Sequence, residues 1–106
     1  MEITDLLEDK VIENIKKDIE DSNGQEVFLL AYVDRESGKI NDYNLLARGT
    51  KEMVPAIIND LKPGTVIIHN HPSGVLEPSA ADIRVASRAG NNGIGFAIIN
   101  NEVSEV

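Results

Sequence analysis

Thr65-Val66-Ile67-Ile68-His69-Asn70-His71-Pro72 runs a β-branched stretch straight into a pair of histidines. β-branched residues suit a pleated, half-buried surface, and Pro63-Gly64 breaks whatever precedes them. Thr65 to His71 therefore reads as a strand with the histidines at its end. Side chains two apart on a strand share a face, so His69 and His71 can present two imidazoles to one ion while Asn70 points the other way. They are the 2 histidines of the chain. The loop Pro72 to Pro78 is long enough to turn the backbone around. Asp82, in the first turn of the helix that Ser79-Ala80-Ala81-Asp82 opens, can then add a carboxylate oxygen.

Outward from that strand, helical and extended segments alternate. Leu6, Leu7, Val11, Ile12, Ile15 and Ile19 recur at three- and four-residue spacing, with Thr4 or Asp5 as cap and Asn23-Gly24 as stop, which predicts one amphipathic helix within residues 1–24. Val27-Phe28-Leu29-Leu30-Ala31-Tyr32-Val33 reads as a buried strand entering a turn at Asp34 to Gly38, and about Lys39 to Arg48 as its partner. Met53, Val54, Ile57, Ile58 and Leu61 repeat with helical spacing after Gly49-Thr50; Pro55 leaves open whether that helix starts before it or at it. Ser79 to Arg88 predicts a further helix, ended by Gly90-Asn91-Asn92-Gly93. Gly95 to Ile99 then predicts a strand, and Val103 to Val106 the beginning of a partner strand. The expected fold is α/β: a central mixed sheet flanked by helices.

Composition narrows the function classes. A chain of 106 residues with no cysteine is expected to be one domain, residues 1–106, without disulfides, thiolate zinc ligands or thiol nucleophiles. The start lacks a basic, apolar leader and no stretch approaches the ~20 apolar residues of a membrane span, so export and spanning are not expected; a cytoplasmic location is. The formal net charge of −8, spread from Glu2 to Glu105, makes attraction to nucleic-acid backbones unfavourable.

Two histidines and one carboxylate leave a fourth position open on a tetrahedral ion, which is the mark of catalytic rather than structural zinc. Hydrolysis at such an ion needs a base and an oxyanion donor as well. Ser79, one turn before Asp82, is placed to donate; the base must come from elsewhere. Ser79-x-x-Asp82 is equally a capping box that starts a helix, and the two roles are compatible. Glu77 is nearer the histidines in sequence but sits in the turning loop. The Cys pair of zinc deaminases and the helical His-Glu-x-x-His of other metalloproteases do not occur. The acidic balance and the Pro72-Ser73-Gly74 loop argue against a His-Asn-His nuclease.

His69-x-His71-Pro72, the gap, and Ser79-x-x-Asp82 resemble the signature of the JAMM (MPN-positive) metalloprotease superfamily, and Asn70-His71-Pro72-Ser73-Gly74 resembles its RadC-like, prokaryotic JAB branch. Glu26-Val27-Phe28, Asp34, Gly38, Gly49-Thr50 and Pro78-Ser79-Ala80-Ala81-Asp82-Ile83 fall where RadC-like chains carry similar residues, so the likeness covers most of Glu26 to Ile99. It implies a JAMM/MPN-like fold with cytidine-deaminase-like layering. It implies zinc held by His69, His71 and Asp82, Glu26 as the catalytic base, and Ser79 as catalytic oxyanion donor. It also implies hydrolysis of peptide or isopeptide bonds, with a peptide or ubiquitin-like protein as substrate. Proteolytic members usually carry serine or threonine where this chain has Asn70. The other function class such a chain can belong to is a RadC-like or MPN-type binding or scaffold module whose metal site is not catalytic.

Overall fold

The computed structural model describes residues 2–48 and 61–106. The helix expected from Met53 to Leu61 lies, apart from its last residue, outside them, as does Gly49-Thr50. The described elements are α1 (Ile3–Leu6), α2 (Asp9–Asp21), β1 (Val27–Val33), β2 (Ile40–Arg48), β3 (Thr65–His71), α3 (Ala80–Asn91) and β4 (Gly95–Asn100). The strands form a mixed sheet in the order β2-β1-β3-β4, antiparallel between β1 and each of β2 and β3, parallel between β3 and β4. The parallel pair needs a crossover, which α3 supplies. This is the α/β architecture the alternation of patterns predicts.

Both sheet faces carry a core because side chains alternate along each strand. Val27, Leu29, Ala31, Ile68 and Ile99 join Val11, Ile15 and Ile19 of α2 in one buried cluster. Phe28, Leu30 and Ile67 join Val85 and Ala89 of α3 in the other. α2 can serve that role because Val11, Ile15 and Ile19 are spaced by one turn along one stripe while Glu13, Lys17 and Glu20 stay exposed. No helix of the described residues is long and apolar enough to cross a membrane.

Two local expectations are corrected. The amphipathic pattern of the first 24 residues does not make one helix: α1 ends at Leu6 and α2 starts at Asp9. Between them Leu7 is extended, bridges Ile40, and is 1% exposed, and the Glu8 N–H donates to the Ile40 carbonyl at 3.1 Å. Seating Leu7 under the start of β2 outweighs the few tenths of a kcal/mol per residue that helix propensity offers. The cap of α2 is accordingly Glu8, with Thr4 and Asp5 inside α1. At the other end, Val103 to Val106 is not a strand; a single bridge joins Glu105 to Glu2. The Asn100 side chain takes the N–H groups of Ser104 (2.9 Å) and Glu105 (3.1 Å), and Val103 sits at φ 52 with its side chain buried. A local side-chain acceptor has replaced the ladder. α3 also runs to Asn91, past the expected Arg88, before Asn92-Gly93 stops it.

Candidate metal centre

β3 delivers the two histidines to the α3 face of the sheet, and the start of α3 delivers the acid. Ser79 caps α3 in a reciprocal box: its oxygen accepts the Asp82 N–H at 3.1 Å, and Asp82 Oδ2 accepts the Ser79 N–H at 2.8 Å. The box fixes the Asp82 rotamer before any ion is considered. It turns the carboxylate towards β3, where it is fully buried.

Each imidazole is held by a backbone carbonyl on its far nitrogen. His69 Nδ1 lies 3.2 Å from the Val27 carbonyl, and His71 Nδ1 lies 2.8 Å from that of Val75. A carbonyl only accepts, so both Nδ1 atoms carry the proton and a neutral ring keeps its lone pair on Nε2. Carbonyls that settle a tautomer in this way are the usual outer support of metal-binding histidines. The Val75 carbonyl reaches back because the loop makes a tight turn, with the Gly74 N–H on the His71 carbonyl at 3.0 Å and Gly74 at φ 82. His69 is further fixed by Phe28, whose ring stacks on it with centroids 4.1 Å apart and planes 4° apart. A β-bulge against β2 falls between Phe28 and Leu29, beside this stack.

The Nε2 atoms and the carboxylate converge. One ligand atom from each of His69, His71 and Asp82 lies within 4.8 Å of the others. His71 Nε2 is 2.8 Å from Asp82 Oδ2 and His69 Nε2 is 3.7 Å from Asp82 Oδ1. Bonds of 2.0–2.1 Å to a tetrahedral ion put ligand atoms about 3.3 Å apart, and each histidine lies within about 0.5 Å of that spacing from one or other Asp82 oxygen. His69 Nε2 is buried and has no hydrogen-bond partner among the described residues. A buried nitrogen left bare forfeits about 1–3 kcal/mol, and a cation recovers it. The nitrogen–nitrogen–oxygen donor set also suits zinc chemistry. The residues fit a divalent ion.

Glu26 comes to the same place from the start of β1. Its Oε1 is 3.7 Å from His69 Nε2 and its side chain is 30% exposed, so it bridges the cluster and solvent. Burial pushes the His69 imidazole below its ordinary value of 6.5; His71 adds to that push, while the Val27 carbonyl, Glu26 and Asp82 act against it. The ring is thus kept as a neutral ligand. Ser79 is exposed at the rim, and Glu77 is exposed in the loop. All five residues expected at the site, Glu26, His69, His71, Ser79 and Asp82, lie around one centre or in its supporting box. What sequence reasoning missed is the support: the Val27 and Val75 carbonyls and the Phe28 ring. Backbone acceptors carry no residue signature, and the β1–β3 register that places Phe28 opposite His69 comes from the tertiary structure.

Residues 7–98 match the family described as the RadC-like JAB domain. The chain therefore belongs to the RadC-like JAB family, within the JAB/MPN superfamily. It is 35% identical over 72 residues to a UPF0758 protein of Pseudoalteromonas translucida, covering 60% of this chain and 32% of that one. It is 37% identical over 59 residues to one of Alteromonas mediterranea (56% and 25%) and 33% identical over 72 residues to one of Vibrio cholerae (60% and 32%). The chain thus spans about a third of the length of the curated relatives it matches.

Proposed function

We propose that this chain is a zinc-dependent hydrolase of peptide or isopeptide bonds, with His69, His71 and Asp82 as metal ligands, Glu26 as general base and Ser79 as oxyanion donor. The observation that supports it most is His69 Nε2: buried, unprotonated by virtue of the Val27 carbonyl on Nδ1, and flanked at 3.7 Å by both Asp82 and Glu26. Zinc bound there supplies Lewis acidity and lowers the pKa of water to about 7. Every other task falls to side chains. Asp82 balances charge and is kept in line by the Ser79 box. Glu26, partly wet and adjacent to the cluster, takes the proton of the attacking water and returns it to the departing amine nitrogen. Ser79 uses an oxygen lone pair to cap α3 and its O–H to steady the oxyanion, two demands one hydroxyl can meet.

The substrates of this reading are peptides or ubiquitin-like proteins in the cytoplasm, where a cysteine-free chain needs no oxidant. A polyanionic nucleic acid suits a net charge of −8 poorly. Cleavage of a panel of ubiquitin-like fusions and isopeptide-linked conjugates, with and without chelator, tests the class. Chelator-sensitive cutting that Glu26→Gln abolishes supports the whole assignment; zinc-loaded protein that cuts none of them removes the catalysis.

A binding or scaffold role for the same centre is favoured by one approach, His71 Nε2 to Asp82 Oδ2 at 2.8 Å, where a shared ion would tie the end of β3 to the start of α3. In that case zinc raises the melting temperature of a protein that cleaves nothing.

A further inference from the structure

Asn70 has no place in the chemistry above, yet it is completely buried between the two histidines, on the opposite face of β3. A buried amide with unmet hydrogen bonds is costly, and this one is well supplied. Its Oδ1 accepts the Val27 N–H at 2.7 Å; its Nδ2 donates to the Gln25 carbonyl at 3.2 Å and to Asn101 Oδ1 at 2.7 Å. Asn101 in turn donates from Nδ2 to the Gly24 carbonyl at 2.9 Å. The two amides thus hold the backbone at residues 24, 25 and 27. The residue enclosed by those three is Glu26.

The ladder explains why such help is needed. Pairing between β1 and β3 ends at Phe28 with His69. One step beyond, side chains of β3 serve Val27: Asn70 Oδ1 accepts its N–H and the His69 Nδ1–H donates to its carbonyl. The backbone that presents Glu26 is therefore secured by the very strand that carries the histidines, through one side chain on each face. Alternation puts Glu26 on the face of Phe28 and His69, which its 3.7 Å approach to His69 Nε2 bears out. A serine or threonine at position 70 has one O–H to donate, so it cannot serve the Gln25 carbonyl and Asn101 together as the two N–H groups of Nδ2 do.

We infer that Asn70, braced by Asn101, is a positioning residue that fixes the Glu26 carboxylate over the histidine–aspartate cluster. The inference rests on the reading of Glu26 as general base, but its geometry is measurable without turnover. Asn70→Ala and Asn101→Ala are compared with the wild type as zinc-loaded protein, by NMR and by hydrolysis of a fluorogenic peptide amide. The expected result is a weakened cross-peak between the Glu26 γ-methylene and the His69 ring in both variants, with Phe28–His69 ring contacts and zinc stoichiometry unchanged. kcat is expected to fall by ~10–100-fold for Asn70→Ala, the usual range for groups that orient a metal site from outside, and by less for Asn101→Ala, with KM unaltered. Asn101 is only half-buried, so its variant decides the matter if Asn70→Ala does not fold. An unchanged Glu26–His69 cross-peak in the variants, or an unchanged kcat in an active enzyme, overturns the inference. A wild type that cleaves nothing while the cross-peaks respond as expected sinks the peptidase reading and leaves the clamp standing.

Discussion

The two faces of one sheet divide the labour. On the α2 side, β1 and β3 present Val27, Leu29, Ala31 and Ile68 to an entirely apolar helix stripe. On the α3 side, the next residues of the same strands begin as core, Phe28, Leu30 and Ile67, and end in His69 and His71, which face the buried Asp82 of α3. A period of two in the strand lets stability and chemistry be set almost independently, one residue apart. Asn70 is the exception that joins them, a buried amide at the end of the apolar face whose bonds hold the segment before β1.

Four perturbations break or sharpen this contrast. The largest is expected from His69→Ala: zinc affinity, measured by competition with a chromophoric chelator, falls by more than the ~100-fold that outer-sphere substitutions produce, and the fold persists. Retained tight binding would show that the α3 face is not a metal face. Ile15→Ala, in the middle of α2 and fully buried, is expected to lower unfolding free energy by about 3 kcal/mol in denaturant titrations with zinc stoichiometry per folded molecule unchanged. A loss of zinc there would mean the faces are coupled.

Smaller effects probe the site's own folding cost. His69 is pushed below 6.5 by burial in the folded protein, so the unfolded chain binds the extra proton more readily than the folded one. Stability of the metal-free protein should therefore decline as pH falls below about 6.5, and His69→Gln should flatten that slope in urea melts at a series of pH values. Ser79→Ala removes the cap oxygen of α3 and is expected to cost about 1 kcal/mol. If Ser79 also donates to an oxyanion, its kcat falls by far more than the change in folded fraction explains, whereas Ser79→Asp, a good cap, restores stability alone.

Legibility from sequence differed along the chain for physical reasons. β1, β3, β4 and α3 were readable because their signals are local: β-branched runs, Pro-Gly and Asn-Gly stops, and a capping box within four residues. The helix running through Leu7 was misread because a contact with Ile40 overrode a periodic pattern, and the strand from Val103 was misread because Asn100 captured its N–H groups. No local window contains Ile40 when Leu7 is read.

The metal site shows the same boundary. That two imidazoles share a face, and that an acid opens the next helix, follows from strand and helix periods and belongs to the sequence alone. Which nitrogen carries the proton, how near Asp82 and Glu26 approach, and what holds Glu26 were decided by tertiary structure, through the carbonyls of Val27 and Val75 and the amides of Asn70 and Asn101. Periodicity sets directions over a few residues; distances of a few ångströms between segments far apart in the chain are set only when both faces of the sheet have packed.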